Sequence, residues 1–187
     1  SFGTFLSQFS PQTTARQSIA SGEYEKAMRI LDGQKALKGD NLTRETLGIY
    51  NAEADLAIAT GNVDGYLAVV KIGKSTEGTR FFREYFAGTV MGILKSAYME
   101  GIKVASRTPL SEAAQQQINA MFYERLVGKL TDELIGNPET PTRENFDAMV
   151  RSYAEETAST LSRFYPVDIK IIVGYKTPLG KNPKNQP

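Results

Sequence analysis

The longest apolar stretch of the sequence, residues 79–105 (TRFFREYFAGTVMGILKSAYMEGIKVA), constrains the fold more than any other. Phe82, Phe86, Val90, Ile93 and Ala97 follow one helical row, and Phe81, Tyr85, Leu94, Tyr98 and Ile102 widen it into a broad stripe. Arg80, Arg83, Glu84, Lys95, Glu100 and Lys103 leave only a narrow polar face. A stripe this wide needs cover on most of its circumference. The spacing therefore predicts a central core helix that stops near Ala105 and is enclosed by the rest of the chain.

The remaining sequence can supply that cover. With 187 residues, 41% of them hydrophobic and 23% charged, the chain suits one compact domain or two small ones. Its 22 basic and 21 acidic side chains are interspersed and leave a formal charge of +1, so no global field draws it to nucleic acid or to an anionic membrane. No run of ~18 uninterrupted apolar residues is present, which argues against a membrane span. Ser1 opens the sequence without a signal-peptide-like apolar region, as a processed chain, a trimmed one or loss of an initiator Met would each leave it. The compartment is left open, since a chain without cysteine is tolerated in reducing and oxidising locations alike.

Ser10 followed by Pro11 reads as an N-cap with proline at the first helical position, and the same signature recurs at Thr108 with Pro109 and at Thr140 with Pro141. Helices are expected at 11–21, through Tyr24 to Leu31, at 43–60, and through Tyr66 to Val70, with a loop at 33–41. After a second loop and the central helix, two long helices follow at 111–135 and 141–163. The first carries Ile118, Phe122, Leu126, Leu130 and Leu134, and the second carries Phe146, Val150, Tyr153, Thr157 and Leu161. With the central helix they make a three-helix layer under the N-terminal hairpins.

Ser21, Gly22, Glu23, Tyr24, Glu25, Lys26 and Ala27 resemble the turn and second-helix start of a tetratricopeptide repeat, with Thr60, Gly61, Asn62, Val63 and Tyr66 as the matching turn of a second unit. The likeness covers residues 11–72 at most. Val63 stands for the expected aromatic, Tyr66 for the small residue, and the two turns lie further apart than the usual period of ~34 residues. The resemblance implies helical hairpins that offer a surface to another protein.

Beyond residue 165 the chain changes character. Residues 167–175 (VDIKIIVGY) are β-branched and aromatic with partial alternation and read as a single strand without a partner in its own chain. Residues 176–187 hold three prolines, three lysines and no acid, and are expected to be extended. The fold class expected is thus mainly α: hairpins over 1–78, a long-helix layer over 79–165, and a strand with an extended tail over 166–187.

The chemistry available is narrow. No cysteine means no disulfide, thiolate metal site or cysteine nucleophile, and no histidine removes the commonest general base and every imidazole ligand. Residues 68–75 (AVVKIGKS) match a permissive phosphate-loop pattern, but the positions before Gly73, Lys74 and Ser75 continue a helical stripe rather than a buried strand. Glu84, Glu100, Asp132, Glu133, Glu155 and Glu156 fall on polar helix faces. Gly88, Gly92 and Gly101 inside the central helix ask for close packing by a neighbour, or for a ligand or partner at the backbone. Asn41, Leu42 and Thr43 form a glycosylation triplet, a weak signal by itself.

These features favour a non-enzymatic interaction or adaptor protein that needs no cofactor or metal and has a protein partner or a second copy of itself. Its hairpins and terminal arms would make the contacts, through Phe2, Phe5 and Phe9 at one end and Ile169, Ile171, Val173 and Tyr175 at the other. The alternatives are a structural subunit of a larger assembly, such as a virion or secretion apparatus, and a helical bundle holding a ligand.

Overall fold

The computed structural model describes residues 11–38, 47–74, 83–176 and 179. The fold is mainly α, as the sequence predicts. Helices α1 (Pro11–Ala20), α2 (Tyr24–Lys38), α3 (Leu47–Thr60) and α4 (Val63–Lys74) form two hairpins. They are followed by α5 (Arg83–Ile93), a π-helical turn (Leu94–Tyr98), a 3-10 turn (Met99–Gly101) and strand β1 (Ile102–Ser106). Two long helices, α6 (Glu112–Gly136) and α7 (Arg143–Ser162), then lead to strand β2 (Ile171–Tyr175).

The two hairpin turns share one chemistry. Gly22 at φ +79° and Gly61 at φ +66° are the described residues in the left-handed region, where a Cβ would be strained. At each, the glycine N–H donates three residues back, to Ile19 or Ile58, and the next N–H donates five back, to Ser18 or Ala57. Those paired bonds satisfy carbonyls that the ending helix leaves open. The next helix starts at once, with Glu23 and Asn62 carbonyls accepting from Ala27 and Tyr66. Asn62 also caps with its side chain, accepting from the Gly65 N–H at 3.0 Å.

The first hairpin and α3 close on a small cluster of Ala15, Ala27, Leu31, Ile49, Ala52 and Leu56. The loop expected at 33–41 begins later than predicted, because α2 continues through Gly33 to Lys38. Gln34, Lys35, Ala36 and Leu37 are good helix formers, and one interior glycine costs only about 1 kcal/mol. Lys35 reaches Glu53 of α3 at 3.2 Å and lies over the Tyr50 ring, which ties the extended end down.

The main core joins α4 to the long helices. Val63, Tyr66, Leu67 and Val70 of α4 pack in one cluster with Phe86, Val90, Ile93, Leu94, Ala97 and Tyr98, and with the inner faces of α6 and α7. Burying each such Leu, Ile or Phe contributes roughly 1.5–3 kcal/mol before entropy is counted. Tyr66 carries a hydroxyl into this core and bonds Thr89 Oγ1 at 2.8 Å, so its polar atom is not stranded.

The central helix is shorter than its sequence predicts. After Ile93 it loosens into the π turn, tightens into the 3-10 turn and leaves Gly101 as an extended strand. Ile102 and Val104 are buried and Lys103 is exposed, so the period has switched from helix to strand. Ile102 suits both readings, being four residues beyond Tyr98 in a helix and two before Val104 in a strand. Tertiary pairing decides the outcome. β1 pairs antiparallel with β2, in the register Ile102 with Tyr175, Val104 with Val173 and Ser106 with Ile171.

The C-terminal strand is therefore not an orphan arm. Its partner was hidden in the stretch that reads as helix. The prolines at 109 and 141 also sit ahead of their helices rather than inside them: Ser111 caps α6 by accepting from the Ala114 N–H, and Thr142 caps α7 by accepting from the Asn145 N–H. Thr108 instead donates to the Asp168 carbonyl, beside the sheet.

Candidate functional site

Among the described residues, the β1–β2 ladder has an open side. Bonds from Lys176 N–H to the Gly101 carbonyl and from Arg107 N–H to the Lys170 carbonyl bracket it. In an antiparallel pair the inward-facing residues alternate. Gly101, Lys103, Ala105 and Arg107 therefore face β2, while the backbones of Ile102, Val104 and Ser106 face away from it.

Side chains and turns already occupy part of that outer edge. Ile102 N–H donates to the Met99 carbonyl within the 3-10 turn. The Val104 carbonyl accepts from Gln115 Nε2 at 3.0 Å, and the same amide donates its second hydrogen to Asn119 Oδ1 at 3.0 Å. Gln115 and Asn119 stand four apart on α6, so one helix turn brings both amides to the strand. The Gln115 carboxamide takes the place that a neighbouring strand's N–H would fill. Among the described residues, two groups that bracket Lys103 have no partner: the Ile102 carbonyl and the Val104 N–H.

A groove of about 840 Å³ runs beside this edge. Met91, Met99, Ile102, Val104 and Tyr123 give it apolar surface, and Gln115 and Asn119 line it from α6. Burial pushes the Tyr123 hydroxyl up to about 12, so it stays protonated at neutral pH. Among the described residues, Lys95, Lys103 and Lys176 contribute three positive charges to its lining and Glu100 one carboxylate. All four are exposed, and none forms an ion pair among the described residues.

Sequence reasoning placed the contact residues elsewhere. Phe2, Phe5 and Phe9 lie outside the described residues. Ile169 is half-buried and its N–H closes a turn onto the Pro166 carbonyl. Ile171 is buried in the main core, and its N–H donates to Ser162 Oγ at 2.9 Å, whose own hydrogen goes to the Ala158 carbonyl at 2.8 Å. Val173 is half-buried against the same core. Tyr175 donates to Glu155 Oε1 at 2.9 Å, with the Arg151 carbonyl oxygen 3.2 Å away and the Arg151 guanidinium 4.6 Å from its ring centre. The strand brings these last three side chains together inside the chain's own packing.

The groove residues were legible only in part. The alternation of Ile102, Lys103 and Val104, followed by the turn-forming Ser106, Arg107, Thr108 and Pro109, is a strand-and-stop signal within the apolar stretch. The helical stripe on either side masked it. Of the glycines, Gly92 meets the close packing expected, with Ile58 of α3 3.0 Å from where its Cβ would be. Gly101 is approached by Leu179 in the same way. Gly88 has no atom of a described residue within 4 Å of that position, so no described contact explains it. Gly73 and Lys74 end α4 as helix, with no strand before them.

Comparison with known proteins gives no assignment. No protein-family model, no curated protein and no solved structure matches the chain. The reading of function thus rests on the groove and the open edge.

Proposed function

We propose that this chain is a non-enzymatic protein-interaction module that holds an extended segment of another protein along the outer edge of β1. The observation that carries the reading is the groove, with the Ile102 carbonyl and the Val104 N–H facing it as one acceptor and one donor. Such a pair accepts an added strand through main-chain bonds, while neighbouring apolar pockets take alternate side chains. Methionines suit that work because their flexible thioethers adapt to different occupants. The polar contacts at the groove are amide to carbonyl and amide to amide, which hold a backbone and do not move protons.

The tetratricopeptide-like turns fit the same reading. Two helical hairpins with matching turns would brace α5, and through it the strand that follows. Their own groove, lined by Tyr24, Met28, Leu56, Val69 and Ile72, is a smaller second surface of about 300 Å³.

The test is selection of peptides from a random library against the full chain, followed by rebinding to Val104→Pro. That proline removes the outward N–H and leaves the ladder bonds to β2 intact. Selected peptides are expected to bind the parent chain and to lose binding to the proline variant, with circular dichroism unchanged. Peptides that bind both forms equally would refute the β1 edge as the interaction surface.

A further inference from the structure

We propose that the occupant of the β1 groove is an acidic, extended segment of a partner protein, alternating carboxylate with aliphatic side chains. This rests on the interaction reading above and adds the chemistry of the partner. Among the described residues Lys95, Lys103 and Lys176 line the groove with Glu100 alone opposing them, which leaves two positive charges in excess along one short trough. Lys103 is the exposed residue between the two free backbone groups, so its ammonium stands where a cross-strand neighbour of an added strand would be. An opposite charge there is favourable and a like charge opposes pairing.

The alternation follows from the pleat. Every second side chain of an added strand faces the same way, so one set shares the face of the buried Ile102 and Val104 while the other shares the face of the exposed Lys103. Aliphatic residues match the first environment and carboxylates the second. The two terminal segments of the chain fit less well. Residues 1–10 carry no charged side chain, and residues 180–187 carry Lys181 and Lys184 with no acid, which sets like charge against like.

Gln115 sharpens the geometry. Its amide already holds the Val104 carbonyl, so an incoming strand can bond at the Ile102 carbonyl and the Val104 N–H without displacing it. Those two groups flank one residue and can be met by the N–H and carbonyl of a single residue in a parallel strand, or by two residues of an antiparallel one. The side chain thus limits the added strand to a short contact.

Fluorescence anisotropy on the full chain tests this with two labelled probes: a short peptide alternating glutamate with valine, and the same peptide with lysine for glutamate. The expected result is binding of the acidic probe alone, weakened about tenfold or more by Lys103→Glu and by raising salt. Val104→Pro should abolish it, while circular dichroism of both variants matches the parent chain. Equal binding of the two probes, or an acidic probe indifferent to Lys103→Glu, overturns the proposal. So does binding that appears only when residues 1–10 are deleted, which assigns the groove to the chain's own segment. Self-association in light scattering that Val104→Pro abolishes assigns it to a second copy and overturns it as well. If library peptides sensitive to Val104→Pro prove uncharged or basic, the acidic partner falls and the interaction module stands. If no peptide depends on Val104, both fall.

Discussion

Two threonines, Thr131 on α6 and Thr157 on α7, are buried with hydroxyls that find no partner among the described residues. A buried hydroxyl without a hydrogen bond costs desolvation and returns nothing. Thr157→Val keeps the shape and removes that cost, so it should stabilise the chain by about 1 kcal/mol and raise the melting temperature by roughly 2–4 °C. A lower melting temperature would show that the hydroxyl is bonded after all. Asp147 is the second residue whose environment makes a measurable demand. It accepts from the buried Tyr98 hydroxyl and lies 3.9 Å from Arg143, yet burial outweighs both and pushes its carboxyl above the ordinary aspartate value. For an acid raised in this way, the folded state binds the proton more tightly than the unfolded one. Its contribution is complete below the unfolded value near 4 and is lost as pH rises through the folded one. The melting-temperature difference between the parent chain and Asp147→Asn should therefore shrink, or turn in favour of Asn, as pH rises from about 3 to 7. A difference that grows with pH would mean the arginines dominate. Phe86 was identifiable from its place in the apolar row, and it is 8% exposed in the main core. Thr157 was placed on the inner row of its helix as well, but the state of the two threonine hydroxyls was not legible, because periodicity places a side chain on the inner face without saying whether its hydroxyl has a partner there.

The glycines of α5 separate what pattern reveals of an element from what packing decides. In sequence Gly88 and Gly92 look alike, four residues apart in one helix. In the structure three carbon atoms of Ile58 crowd the Cβ position of Gly92, while that of Gly88 is open. Gly88→Ala should then gain helix propensity, about 0.5–1 kcal/mol, whereas Gly92→Ala should gain less or lose, because Ile58 must shift to admit the new methyl group. Denaturant midpoints measure both, and an equal gain at the two positions would refute the difference. The helices α6 and α7 were legible to within a few residues because their apolar rows are long and their stops strong. The end of α5 was not. Leu94, Ala97, Tyr98 and Ile102 fit one helical stripe, which masks the short alternation of Ile102, Lys103 and Val104, and no local signal announces the π turn before it. What overrides the local preference is IIVGY, more than sixty residues downstream, and single-sequence periodicity does not register a partner so remote.

For the molecule as a whole, the same pairing reverses the expected behaviour of the C-terminus. As a free arm, residues 167–187 could be removed with the helical fold intact. The structure instead buries Ile171 and Leu179, pairs five residues of β2 with β1, and sets Ile102 and Val104 in the same core. Deleting 167–187 should lower the cooperative melting transition of the entire chain, with loss of helical circular dichroism at temperatures the parent withstands. An unchanged transition would restore the arm. The candidate site was the least legible part of the chain, since its strand was read as helix and the amides of Gln115 and Asn119 become meaningful only once that strand lies beside α6. The ladder also has a direction that matters under mechanical load. Ile102 and Tyr175 are paired at one end of it, and they are the rungs nearest to the two chain termini; the whole α6–α7 hairpin hangs from the other end. Tension applied to the termini therefore opens the ladder as a zipper, one rung after another from that pair, instead of shearing all its bonds together.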